Sequence, residues 1–387
     1  MFRIDSFALV ALATYAVLTL ITLATRPRVE GRAEGWSRWG WIVAGTALAY
    51  VAGSPGVFLL GWALTVVPFW RDAPGAPRAP RLVLGLSTLS LALGFLTGSF
   101  AADAPSRWVG FSLIALAALL RKGIFPFHFW IPMAFERGSL AELNLLMNSH
   151  LGAYLMVRFA VPQFPDAGAD ALSLLGVLAI FTAVYAALLA LVAARPRRIL
   201  ALLCTSQASF ILAGIENRNV EGITGALLLW WVVAFATTSL LAIYAALEAR
   251  TQEAVQPRGY LGLAAHAPRL AVLFAVSALA LVGLPGTLGF TAEDLLFHGA
   301  LASHPLLGAG LPLATALNAV TALRLLAVLF WGRRGTEVPR IADALPRERW
   351  ALTLPVLLLV AGGLAPHAAV AIQGPSANWI AGLLAGR

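Results

Sequence analysis

Leu119-Leu120-Arg121-Lys122-Gly123-Ile124-Phe125-Pro126-Phe127-His128 closes an apolar run that begins near Trp108. Residues 108–120 carry no charge, yet the run ends in two adjacent cations followed by a glycine and a proline. A proline inside a helix removes one backbone hydrogen bond and clashes with the preceding turn, and glycine lets the chain unwind. The stretch therefore predicts a helix that enters hydrocarbon and breaks there, with ionisable groups at the break.

The rest of the chain calls for the same solvent. Of 387 residues, 60% are hydrophobic and 12% charged, against about a quarter charged in a soluble domain. Mean hydropathy is +0.82. A backbone in lipid must satisfy its own hydrogen bonds, and the alternation of an outer-membrane barrel is absent, so the spans are expected to be helices. The net charge of +9 does not point to nucleic acid, because the arginines sit in short clusters between apolar runs rather than along one basic face. Cys204 is the only cysteine, which excludes an intrachain disulfide or a cysteine metal cluster. The first apolar run, residues 7–24, follows Arg3 and Asp5 and lacks an A-x-A site, so it reads as a retained helix rather than a cleaved signal.

Windows of about 20 apolar residues fall at 6–25, 39–53, 55–70, 82–101, 108–128, 140–160, 171–193, 199–215, 220–247, 270–300, 305–331 and 350–372. Arginine tests this count, since positive residues collect in cytoplasmic loops. Nineteen arginines follow odd-numbered helices, while Arg3, Arg107, Arg158, Arg218 and Arg387 fall on the other side. A missed helix in the middle would erase that bias. The expectation is a multi-pass protein of the inner (cytoplasmic) membrane with both termini on the non-cytoplasmic side. Residues 165–170 read as an outer loop. No linker divides the chain, so 1–387 is one membrane domain, with 350–387 as a terminal helix and an interfacial tail around Trp379.

A second interrupted helix reads Gly283-Leu284-Pro285-Gly286-Thr287-Leu288-Gly289-Phe290, followed by Glu293 and Asp294. It lies five helices after the first, and an odd offset reverses direction through the membrane. Residues 39–160 and 171–331 are therefore expected to be inverted five-helix repeats, an arrangement that places ion or substrate paths at discontinuous helices. Lys122 is the only lysine in the chain. An ammonium can release a proton when desolvated, whereas a guanidinium stays charged. The plainer reading of Arg121 and Lys122 is snorkelling from a helix end, and of Glu293 and Asp294 a pair at the outer surface. His128 and His150 are ionisable near neutral pH, though packing is the ordinary role of a lone membrane histidine. Glu142 fits the N-terminal dipole of its helix. His298 and Arg324 are secondary candidates, and Arg324 needs a partner the sequence does not name.

These segments resemble the antiporter-like membrane subunits of respiratory complex I, membrane hydrogenases and Mrp-type cation/proton antiporters. Arg121 through Pro126, His128, Trp130, Pro132 and Ala134 is similar to that family's K-x-x-x-x-P-x-H-x-W-L-P-x-A. Arg197-Arg198-Ile199-Leu200 through Ser206-Gln207 resembles its K-R-x-L-A-x-S-x-x-x-Q, and Gly283 through Glu293 its second broken helix. Arg3-Ile4-Asp5-Ser6-Phe7 resembles the lead-in to its third helix, so its first two helices have no counterpart. The resemblance implies inverted five-helix repeats and a mid-membrane proton path. It also implies departures. The family lysine falls on Arg121, with Lys122 one step later, and an early Trp-Glu pair appears as Trp62-Ala63. Two further polar positions fall near Asn144 and Thr237.

The reading is an all-α polytopic bundle of about twelve spans that moves protons or cations as a subunit of a larger complex, with other membrane and peripheral subunits as partners. The expected path uses Lys122, Arg121, Glu142, His150, Glu293 and Asp294. No flavin, nucleotide, haem or iron–sulfur motif occurs, so no cofactor is expected and a partner would supply the energy. Ala63, Asn144 and Thr237 favour a non-conducting structural subunit of the same fold. The membrane half of an inorganic-carbon uptake system is a third reading. H-E-x-x-H and G-x-S-x-G are absent, which argues against an intramembrane hydrolase.

Overall fold

The computed structural model describes residues 2–27, 33–70, 78–100, 103–251, 260–303, 305–332 and 341–385. Of the arginines counted above, Arg28, Arg32, Arg71, Arg258, Arg333, Arg334, Arg340 and Arg387 lie outside them. Among the described residues every regular element is helical, with one isolated bridge between Phe2 and Ala52. The helices are α1 (Ser6–Thr25), α2 (Ala33–Tyr50), α3 (Pro55–Trp70), α4 (Arg78–Phe100), α5 (Ala104–Lys122), α6 (Trp130–Arg137), α7 (Leu140–Met147), α8 (Leu151–Leu155) and α9 (Val161–Gln163). They continue as α10 (Pro165–Val192), α11 (Pro196–Glu216), α12 (Val220–Thr251), α13 (Pro268–Leu281), α14 (Leu288–Ser303), α15 (Pro305–Phe330), α16 (Pro346–Leu364) and α17 (Pro366–Ala385).

Among the described residues, seven helices are long and apolar enough to cross a bilayer: Ser6–Thr25, Arg78–Phe100, Pro105–Arg137 including its break, Ala171–Val192, Pro196–Glu216, Val220–Thr251 and Gly308–Phe330. The pair Pro346–Leu364 and Pro366–Leu384 adds an eighth, bent by 94°. Proline opens α10, α11, α13, α16 and α17, where its missing N–H would have had no partner in any case. For that reason 165–170, expected as a loop, is the first turn of α10. The expected helix 350–372 likewise ends at Leu364, because Pro366 cannot continue it and instead starts α17.

Helix α11 and helix α12 form the centre, their apolar windows 100% and 89% buried. Around α12 pack α1, α11, α13, α14, α16 and α17. Helices α2 and α3 meet at Gly45 and Gly61, where a Cβ on Gly45 would lie 2.6 Å from the Gly61 carbonyl oxygen. Small residues are needed there because membrane helices gain from close backbone contact.

Candidate functional site

At the first break, Gly123 adopts φ 65° and its amide turns back onto Leu119 and Leu120. The Ile124 amide also reaches the Leu119 carbonyl, at 3.0 Å, a glycine-stopped helix end. Unwinding frees carbonyls and amides, and side chains from other segments take them: Trp130 Nε1 donates to the Leu120 carbonyl at 2.9 Å, and Thr182 Oγ1 accepts from the Phe125 amide at 2.9 Å. The break is thus held in a fixed shape. Its two cations are both buried. The Arg121 Nη2 donates to Thr65 Oγ1 at 2.8 Å, and its guanidinium lies 4.3 Å from the Trp62 ring centroid. Lys122 runs the other way and lays its stem over Gly152, where a Cβ would sit 2.8 Å from Lys122 Cγ. Among the described residues no carboxylate pairs with either cation. The half-buried His128 stacks on Phe125 and meets the Tyr185 ring edge-on.

Lying over Gly152, Lys122 is set against the segment that carries His150, two residues before that glycine. The helix expected over 140–160 is interrupted there: α7 stops at Met147, His150 takes φ 46°, and a π turn over Met156–Ala160 follows α8. A left-handed non-glycine residue is uncommon, and no glycine or proline announced it. Both ring nitrogens of His150 are enclosed without a hydrogen-bond partner, and Trp230 stands edge-on at 5.2 Å.

The two polar departures, Asn144 and Thr237, meet. Asn148 Nδ2 donates to Asn144 Oδ1 and to Thr237 Oγ1, each at 2.7 Å, Thr238 Oγ1 donates to Asn144 Oδ1 at 3.0 Å, and Asn144 Nδ2 donates to Thr22 Oγ1 at 3.0 Å. The Cys204 thiol joins at Thr237. On the next turn of α11, both amide atoms of buried Gln207 lack a protein partner, and Asn318 Nδ2 donates to Ser206 Oγ at 2.8 Å. Neutral polar groups are therefore buried in the centre of the bundle, one hydrogen-bonded cluster joining α1, α7 and α12 and a second pair joining α11 to α15.

The second break runs between α13 and α14. Gly283 and Gly286 hold φ 70° and 88°, and Thr287 Oγ1 donates to the Leu284 carbonyl at 2.7 Å. Glu293 folds back onto it, so close that a Cβ on Gly283 would lie 2.4 Å from Oε2. Its other oxygen, Oε1, is enclosed without a partner. Glu293 borders a 340 Å³ cleft with Phe290, Asp294, Pro312 and Thr315. Asp294 is turned away, its side chain 51% exposed and 3.5 Å from His298 on the same helix face.

The remaining candidates have partners of their own. Glu142 accepts a two-pronged bond from Arg38, Nε to Oε1 and Nη2 to Oε2, both 2.8 Å. Arg324 Nη2 donates to the carbonyls of Ala190 and Ala193 at 2.9 and 2.7 Å, so it caps the end of α10. The sequence did not single out Arg38, Asn148, Thr238, Gln207 or Asn318 as site residues. Nor did it pair Asp5 with Arg158, whose Nη1 lies 2.5 Å from Asp5 Oδ2. Burial pushes the Asp5 carboxyl up, but the Ala8 amide and Arg158 more than offset this and hold it below its usual value of 3.8.

The fold and these two interruptions define a multi-pass helical membrane protein with ionisable groups held at broken helices. The family model for the transmembrane part of NADH:quinone oxidoreductase and Mrp antiporters matches residues 82–318. The chain belongs to that family. It is 32% identical to NADH-quinone oxidoreductase subunit 13 of Thermus thermophilus, covering 79% of this chain and 65% of that one. To NAD(P)H-quinone oxidoreductase chain 4 of Synechococcus elongatus it is 30% identical, over 78% and 63%. It thus spans less than two thirds of these curated relatives. A chain of respiratory complex I from Thermus thermophilus superposes with TM-score 0.88 and 26% identity, over 100% of this chain and 86% of that one. One from the Mrp complex of Dietzia sp. DQ12-45-1b matches in fold, with TM-score 0.86 and 19% identity over 99% and 86%.

Proposed function

We propose that this chain translocates protons as an antiporter-like membrane subunit of a larger assembly, with Lys122 and Glu293 as its two exchanging groups. The observation that carries the reading is that each broken helix holds an ionisable side chain without a counter-charge among the described residues: Lys122, buried beside Arg121, and Glu293, half-buried at the edge of a cleft. A charged side chain at mid-membrane is unfavourable by about 2.5–3.5 kcal/mol on insertion scales, and such groups are kept for ion paths. His150 beside Lys122 is the neighbouring proton acceptor, and the Asn144–Asn148–Thr237 row with Gln207 offers hydrogen-bonding groups between the breaks, where buried water completes such rows. Arg121 sets the field at the first break and keeps its charge. Asp294 stands at the mouth of the second, with His298 beside it.

The same reading includes about twelve spans in two inverted repeats. Two observations support it. In both units the first and second members pack together, as do the third and fourth and the first and fifth: α2 with α3, α4 with α5 and α2 with α7 in one, α10 with α11, α12 with α14 and α10 with α15 in the other. The ion pairs Arg38 with Glu142, Arg197 with Glu248 and Arg158 with Asp5 each join residues that the arginine bias puts on one side. On that topology both termini face away from the cytoplasm of the inner membrane.

The neutral row favours a second reading, a structural subunit that does not conduct. Proton flux into vesicles holding the intact assembly separates them. Lys122→Ala and Glu293→Gln each abolish the coupled flux if the chain conducts; unchanged flux in both rejects conduction through these groups.

A further inference from the structure

At the arginine-rich end of the bundle, a 550 Å³ cleft opens between the last turns of α12 and the first turn of α16. Its polar wall is Arg250, Arg347 and Glu348, and its apolar wall Pro27, Ala246 and Leu345. Arg250 Nη2 is taken by the Glu348 carboxylate, which also accepts from the Leu345 amide at 3.0 Å, while Arg250 Nη1 is enclosed without a partner. Arg347 donates one Nη2 bond to the Arg26 carbonyl at 3.1 Å and is otherwise exposed. Two guanidiniums face one carboxylate that is already engaged, so the cleft has unspent N–H donors and positive charge.

The helix surface below the cleft is built differently. Arg347, Trp350, Leu354, Leu357 and Leu358 follow helical spacing along α16 and are exposed. A cation, then an indole, then a leucine stripe is the order of chemistry met on passing from headgroups into acyl chains.

We propose that this cleft binds the phosphate of an anionic phospholipid, with Arg347 on the headgroup, Arg250 adding its positive charge from the cleft wall, and the acyl chains along Trp350, Leu354 and Leu358. Guanidinium N–H groups suit phosphate oxygens in pairs, and basic pockets between membrane helices hold anionic headgroups. A free phosphate would use the arginines and leave the leucine stripe without a role.

Native mass spectrometry of the full chain, purified in detergent and offered phosphatidylglycerol or phosphatidylcholine of identical acyl chains, tests this. Retention of phosphatidylglycerol over phosphatidylcholine is expected to fall about fivefold in Arg347→Gln, one arginine's share of headgroup attraction. Arg347→Lys is expected to keep most of it. The Arg250–Glu348 pair is untouched by either variant, and an unchanged unfolding temperature verifies that the fold is intact. Equal retention of the two lipids, or an unchanged preference in Arg347→Gln, overturns the proposal. Displacement of phosphatidylglycerol by excess inorganic phosphate overturns the lipid assignment in favour of a phosphate site.

Discussion

The two broken helices use one device with opposite chemistry. At the first, a glycine and a proline stop α5, and the freed backbone is taken by Trp130 and Thr182, so the loop is rigid and its cations extend away from it. At the second, the carboxylate bends back onto the loop itself and packs on Gly283, beside a cleft. One break presents cations to a tightly packed interior; the other keeps an acid against its own unwound backbone. A side chain that reaches away answers to its neighbours' packing, whereas one folded onto its own loop answers to the loop's conformation.

The largest expected effect tests whether both breaks carry protons. Coupled flux in vesicles is expected to fall about a hundredfold in Lys122→Ala and in Glu293→Gln, the scale lost with a positioned proton-transfer group. Lys122→Arg is expected not to restore it, because a guanidinium does not release its proton. Restoration by arginine would make the first break a fixed charge. Glycine substitutions separate the two designs next. Gly283→Ala places a Cβ against Glu293 at a positive φ, and denaturant unfolding is expected to show a loss of about 3 kcal/mol from combined overpacking and strain. Gly152→Ala meets the flexible stem of Lys122 and, at 3.2 Å, the Ala118 carbonyl oxygen, but at an ordinary helical φ, so a smaller loss of about 2 kcal/mol is expected, with a larger fall in flux than stability alone would give. Equal losses would erase the contrast.

Smaller effects follow outside the breaks. Arg38→Gln leaves Glu142 without its cation, and unfolding is expected to lose about 2 kcal/mol, discounted because Arg38 is partly exposed. Flux should change little, since Lys122 does not contact this pair. The smallest effect is in acid. The Asp5 carboxyl is held below 3.8, so its contribution is complete above that pH and is lost as pH falls through the folded value. Thermal unfolding is therefore expected to show an Asp5-dependent drop only below about pH 4, absent in Asp5→Asn.

Most helices and both glycine-proline breaks were readable from the sequence, because hydropathy and breakers are local. The interruption at His150 was not, since neither neighbour is a breaker and the ring that the left-handed turn carries packs on Trp230, 80 residues away. Glu142 looked available because its partner Arg38 is 104 residues away. Arg324 lacked a nameable partner because it binds backbone carbonyls, which every residue has. The turn before α17 was a local signal passed over: Gly362-Gly363-Leu364-Ala365-Pro366 contains both breakers.

Helix α17 brings Trp379 to 6.0 Å from Phe7 and to 5.7 Å from the Arg158 guanidinium that also holds Asp5. That cluster links positions more than 370 residues apart. During vectorial synthesis this joint cannot form before α17 is made, so α1 waits in the bilayer with its entry turn only half packed until α17 has left the ribosome. Nascent chains stalled before residue 366 should consequently leave Arg158 and Phe7 open to a membrane chaperone, and completion of α17 should release it.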